Sequence, residues 1–303
     1  MASVKELRVR IKSVGSIKQI TRAMEMVATT KLRRFQDRAV ASRPYAREIA
    51  GLVGRLAAVL GDDVAERPLF RAGAGKRPLV LLVTSDRGLC GAYNANMFRA
   101  LERWVAENPE ERAPDRAAAD VKPAFFVYGR KGAQYLKKRG YDVHRFLVDP
   151  PLEGTDYRAA TLTARMLQQE FLSGAWSEVI VFFSAFESMA KYVPTIAPFL
   201  PIRAESLAAA GGEVAEKDKD ILLEPDAGTI FDKLVPRFLE TRVYNALLEA
   251  LTSEYASRRF AMKNATDAAN DMQRALKGVY NRKRQENITK DLLDIVGGAE
   301  AVK

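Results

Sequence analysis

One cysteine, Cys90, and one histidine, His144, stand among the 303 residues. A single thiol excludes an internal disulfide framework and points to a reducing compartment. A single imidazole excludes a multi-histidine metal site, and no nucleophile-elbow motif supports His144 as a triad member. Long hydrophobic runs are missing too: no stretch of about 18 apolar residues occurs, so no segment is expected to span a bilayer. The start, "MASVKELRVRIKSV", lacks the apolar stretch of a secretory signal. Glu6 and the immediate helical pattern argue against an Arg-rich transit segment. From Arg237 to Val296 there is no proline and one glycine, Gly278. Read as helix at 1.5 Å per residue, that run would stretch roughly 90 Å.

What is present suffices for an ordinary core: 48% of residues are hydrophobic and 28% charged. The net charge of +10 is unevenly spread. Residues 1–60 carry 13 Lys and Arg against 4 Asp and Glu, and residues 237–303 carry 12 against 9. The middle, with 23 against 25, is close to neutral. The basic ends are either two solvated helix faces or a joint surface for an acidic partner, nucleic acid or protein.

Residues 4 to 58 read as helix. Val4, Leu7, Ile11 and Val14 alternate steps of three and four, and a second stripe of Ile17, Ile20, Met24 and Val27 then takes over. Gly15 and Pro44 are the interruptions, with a kink or a restart expected at "ASRPYAREI". "GDDVAERPLFRAGAGKRP" reads as loop. The period then changes. "PLVLLVTSD", "AFFVYG" and "EVIVFFSAF" are dense apolar runs typical of strands covered on both faces. Helical patterns lie between them in "NANMFRALERWVAEN", "RKGAQYLKKRG" and "RAATLTARMLQQEFLSG". "ENPEERAPDRAAAD" and "AAAGGEVAEKDKD" read as polar loops, and "ILLEPD" as a last strand before a helix capped by Asp226.

The fold class that follows is α/β plus a long antiparallel coiled coil. A Rossmann-like, mainly parallel domain over residues 76–210 joins helices over 1–60 and 226–303, which pair with each other. In the terminal helix Ala261, Ala265, Ala268, Met272, Ala275 and Val279 recur at steps of four and three. They are expected to form an alanine-rich seam that lets the partner helix approach closely.

Chemistry is tempting in places and thin throughout. "AGAGKRP" fails as a phosphate loop, with Phe70 where the first glycine belongs and Arg77 where Ser or Thr belongs. "GRKG" within "VYGRKGAQYL" reads as a strand-to-helix turn rather than a nucleic-acid clamp. "TSDRGLCGAYNAN" follows the first strand, where doubly wound sheets often hold ligands. It is expected to be a structural turn, with Asn94 capping the next helix and Cys90 buried. The carboxylate pairs Asp62-Asp63 and Glu110-Glu111 sit in polar loops. No catalytic residue, metal ligand or cofactor is expected.

Three stretches taken together are similar to the gamma subunits of F-type ATP synthases, in order and across nearly the whole chain. They are "RIKSVGSIKQITRAMEMVATTKLRRFQ", "SDRGLCGAYNAN", and "SEYASRRFAMKNATDAANDM" with "YNRKRQENITKDLLDIVGGAEAV". The resemblance implies a central rotor shaft. Its coil would stand inside a hexamer of alternating alpha and beta subunits. Its α/β domain would form a foot, with the epsilon subunit, on the membrane ring of c subunits. Ring rotation driven by protons or sodium ions would turn the coil and cycle the catalytic beta sites, so the nucleotide chemistry would belong to other subunits.

The resemblance also places contacts with beta: Arg284, Gln285 and Thr289 in "KRQENIT", and Met24 with neighbouring Arg22 in "TRAMEM". The lone cysteine cannot form the inserted dithiol of plant chloroplast members. A bacterial protein on the cytoplasmic face of the inner membrane is the expectation, ahead of a processed mitochondrial chain. The charged stretch 107–122 looks longer than the family pattern. The competing reading is a nucleic-acid-binding protein with a basic coiled-coil arm. It would bind with steep salt dependence, but no aromatic residues interleave the basic ones.

Overall fold

The computed structural model describes residues 3–107, 122–189, 191–203, 207 and 224–301, the last five by backbone alone. Two compact units emerge: residues 1–30 with 258–303, and residues 31–257. Helices α1 (Val4–Leu60) and α5 (Ala227–Ala301) contribute to both. The division differs from the expected one, because residues 31–60 and 227–257 of these helices belong with the α/β unit.

The α/β unit contains β1 (Arg77–Val83), α2 (Tyr93–Ala106), β2 (Ala124–Tyr128), α3 (Arg130–Arg139), β3 (Asp142–Leu147), α4 (Tyr157–Leu172), β4 (Trp176–Phe186) and β5 (Tyr192–Leu200). The strand order is β3-β2-β1-β4-β5. The first four strands are parallel, and β5 closes one edge antiparallel to β4. Three strands fall where the apolar runs predict them; β3 and β5 are additions. β1 and β2 are buried almost end to end, as a sheet covered on both faces requires. Val80, Leu82, Phe125, Val127 and Phe182 meet Met97 and Leu101 of α2 and Leu136 of α3 on one face. On the other, the Tyr128 hydroxyl bonds Thr163 of α4 at 2.8 Å.

Helix starts follow the local chemistry. Ser3 and Glu6 exchange hydrogen bonds at 3.0 and 3.2 Å, a capping box that opens α1. Asp226 caps α5 as expected, accepting from the Thr229 amide at 2.8 Å and the Thr229 hydroxyl at 2.7 Å. Pro44 neither breaks nor restarts α1, which runs through it with the ring exposed. Residues 108–121 and 208–223, which include both expected polar loops (all but Glu107), Glu110-Glu111 and half of "ILLEPD", lie outside the described residues. Glu224 to Asp226, the rest of that expected strand, are not in a strand.

Candidate functional site

Residues 4–30 and 258–301 form an antiparallel two-helix coil. Arg8 donates to the Tyr280 hydroxyl at 3.2 Å, Lys18 to Asn270 at 2.8 Å, and Thr266 to Thr21 at 2.8 Å. As α1 advances from 8 to 21, its partners on α5 retreat from 280 to 266. The buried and half-buried row on α1 is Val4, Leu7, Ile11, Val14, Lys18, Thr21, Glu25 and Ala28. That on α5 is Met262, Thr266, Ala269, Gln273, Leu276, Tyr280 and Lys283. Both alternate steps of three and four throughout, the repeat of a coiled-coil seam.

This corrects the expected register by one residue. Ala268, Met272, Ala275 and Val279 are exposed, Met272 at 56% and Val279 at 52%, while Ala261 and Ala265 are only half-buried. The stripe Ile17, Ile20, Met24 and Val27 does not take over the seam either; Ile20 is 58% exposed. One residue is about 100° of helix, so a row beside the seam lies on a flank. The seam itself continues through polar residues. Lys18 is tied down by Asn270, and Thr21 by Thr266, so these groups are satisfied where they are half-buried or buried.

The two flanks differ in chemistry. Ile17, Ile20, Met24 and Val27 precede seam positions on α1, and the six residues of the expected seam precede seam positions on α5. In an antiparallel pair these rows share a side, which makes an apolar outer flank. On the opposite side Arg8, Lys12, Gly15, Gln19 and Arg22 follow seam positions, and a groove of about 770 Å³ lies between them and Gln273 and Lys277. No carboxylate among the described residues lines it. Arg22 and Met24, neighbours in sequence, thus project from opposite flanks. The same register sets Arg284 level with the first turn of α1, and Gln285 and Thr289 stand beyond it; all three are exposed.

In the α/β unit the usual ligand position is already filled. Ligands of open parallel sheets sit at the carboxyl ends of the strands where the order reverses, here between β1 and β4. The loop after β1 is pinned internally: Asn94 donates to the Ser85 hydroxyl at 2.6 Å and accepts from its amide at 3.2 Å. Asn94 is therefore no N-cap; α2 starts one residue before it, and its amide fastens the loop instead. Cys90 is buried beneath, as expected, and its carbonyl accepts from Ser257 of α5 at 2.6 Å. Ser253 donates to the Ser184 carbonyl of β4 at 3.0 Å, and the Tyr93 hydroxyl to the Ala250 carbonyl at 3.4 Å. The α5 segment 250–257 occupies the crevice.

The other glycine loops are structural. A Cβ on Gly129, which has φ +95°, would stand 2.1 Å from the Thr84 carbonyl oxygen, and one on Gly132 would stand 2.6 Å from the Thr84 hydroxyl. "GRKG" is thus the close crossing of a strand and a helix turn. Gly73 and Gly75 donate to the Ser177 and Trp176 carbonyls, each at 3.2 Å, where a Cβ would collide with backbone. His144 stacks on Phe126 and bonds Glu170 at 3.2 Å. Among the described residues no group of three metal-ligating side chains occurs, and no helix is long and apolar enough to cross a membrane.

Two carboxylates organise this unit. Glu240 of α5 is 1% exposed and takes hydrogen bonds from Arg165 of α4 at 3.3 Å and from Arg237 at 3.1 Å. Glu153 accepts from Lys31 of α1 and, at 2.7 Å, from Tyr255 of α5. Burial pushes the Glu153 carboxyl up, but the hydrogen bonds from Lys31 and Tyr255 and the charges of Lys31 and Arg87 outweigh it and hold it below its ordinary value.

A model of the ATP synthase family matches residues 3–302. The ATP synthase gamma chain of Cytophaga hutchinsonii is 38% identical over 302 residues, covering 100% of this chain and 99% of the relative. That of Desulfosudis oleivorans is 40% identical over 311 residues, with 100% of both covered. Among solved structures, the Euglena gracilis mitochondrial ATP synthase assembly of OSCP, F1 and c-ring contains a chain with TM-score 0.64 and 20% identity. The match covers 99% of this chain and 94% of that one. The central stalk and c-ring structure from Tetrahymena thermophila gives TM-score 0.58 at 24% identity, over 81% and 99% of the two chains. A full-length family match, bacterial relatives at this identity and a coil built from both ends of the chain agree: the chain belongs to the ATP synthase gamma chain family.

Proposed function

We propose that the chain is the central rotor shaft of an F-type ATP synthase, transmitting rotation between a ring of c subunits and the catalytic beta subunits. The observation that carries this reading is the coil of unlike flanks. An apolar flank and a basic flank on one stiff element suit a part that slides against a surrounding wall and meets acidic groups in turn. The α/β unit supports it by what fills the sheet crevice, which is the chain's own helix rather than space for a substrate. On this reading the chain is non-catalytic. Its partners are the alpha and beta subunits, the epsilon subunit and the c ring, and its place is the cytoplasmic face of a bacterial inner membrane.

Arg284, Gln285 and Thr289 are then the upper contact with beta, and Met24 with Arg22 a lower one. Arg284 offers a planar fork of donors and Gln285 both donates and accepts, which suits grips that form and break during a turn. Replacing both, Arg284→Ala with Gln285→Ala, is expected to leave subunit stoichiometry intact and to lower ATP-driven ion pumping per assembled complex in membrane vesicles. Pumping at the wild-type level in a normally assembled complex would remove these residues from the interface. Failure of the wild-type chain to co-assemble with alpha and beta would overturn the rotor reading itself.

A further inference from the structure

We infer that the basic groove of the coil unit binds a linear phosphoanion, a chain of phosphoryl groups such as an oligophosphate. Arg8, Lys12, Arg22 and Lys277 line the groove without a carboxylate among the lining residues. Lys12, Arg22 and Lys277 make no ion pair among the described residues, whereas the fifth cation, Lys18, is spent on Asn270. From Arg8 to Arg22 the α1 side runs about 21 Å along the helix axis. Four like charges along such a groove repel one another. An anion that touches several of them at once relieves the repulsion and gains charge-assisted hydrogen bonds, which are the strong kind.

The shape of the groove selects among anions. Gly15 sits mid-row, and without a side chain there the floor stays open down to the Gln273 amide, 3.0 Å from where a Cβ would stand. A single orthophosphate is too short to bridge cations spread over this length, whereas a chain of phosphoryl groups lies along it. No aromatic side chain among the described residues lines the groove, so a nucleic acid finds nothing there for its bases to stack on. Ile11 is the one large apolar residue in the lining, too little to anchor an amphipathic acidic helix. The ligand is recognised through its phosphates alone, whether they come from an inorganic chain or from the triphosphate of a nucleotide.

Titration calorimetry on the full-length chain at physiological salt tests this with tripolyphosphate, orthophosphate, ATP and a short single-stranded oligonucleotide as probes. The expected result is one tripolyphosphate per chain, ATP no tighter than tripolyphosphate, and orthophosphate and the oligonucleotide each at least about tenfold weaker. Lys12→Gln with Lys277→Gln should weaken tripolyphosphate about tenfold or more. The charge-matched pair Lys137→Gln with Lys138→Gln, on the exposed side of α3, should change it less than about twofold. Gly15→Leu, which fills the floor without changing charge, should also weaken it, with helicity checked by circular dichroism. Equal losses in the two charge pairs would reduce the effect to diffuse attraction and overturn the site. Equal affinity for orthophosphate, or tighter binding of ATP or the oligonucleotide, would overturn the linear phosphoanion as its ligand.

Discussion

Glu153 shows how much one residue holds in place in the α/β unit. It lies after β3, outside any strand or long helix, yet it accepts from Lys31 of α1 and Tyr255 of α5. Its carboxyl is held below the ordinary value of 4.5, so it contributes stability above that value and loses it as pH falls through its own lower one. The side chains are about a third exposed, so the contribution is modest, under about 1 kcal/mol. Glu153→Gln should therefore lower the urea midpoint of the full chain at pH 7, and the gap to wild type should close as pH falls through the lowered value of the Glu153 carboxyl. A gap that persists unchanged in acid would mean that the two hydrogen bonds, not the charge, are what matters.

At the scale of elements, the coil depends on a seam that hydrophobicity alone misplaces. Ala269 is 7% exposed and belongs to the seam, whereas Ala268 faces outward. Ala269→Leu should cost about 1–3 kcal/mol by overpacking, and Ala268→Leu should stay within about 0.5 kcal/mol, both read from thermal melts of the full chain. The reverse order would restore the alanine register. The error has a physical source. The true seam runs through Lys18, Thr21 and Thr266, polar groups bonded across the pair, and through Gln273, while the flank carries the conspicuous Ile, Met and Val. A stripe of apolar residues marks a face that avoids water, and here that face is not the one the partner helix covers. The first stripe, Val4 to Val14, did lie on the seam, and continuing its steps of three and four would have reached Lys18 and Thr21.

The sheet was legible where strands are buried on both faces and less so at its edges. β3 mixes exposed and half-buried residues without a regular alternation over only six positions. β5 carries Pro194 and Pro198, which edge strands tolerate and which read as breakers in sequence. The loop after β1 read correctly as structural, but its purpose did not. That Ser253 and Ser257 bond to the ends of β4 and the β1 loop is a long-range fact with no local signature. The proposed contact residues Arg284, Gln285 and Thr289 rest on the family resemblance, since nothing in their spacing sets them apart from other exposed polar residues.

For the whole molecule, the central claim is that the chain turns against its partners. It is best tested by watching it turn. With alpha and beta subunits fixed to a surface, a probe attached through Lys137→Cys on the exposed side of α3 reports the chain's orientation, because Cys90, the one native thiol, is buried. Adding ATP should produce sustained rotation in one direction, stopping when ATP is exhausted. ATP hydrolysis by a complex whose probe stays still would contradict the account.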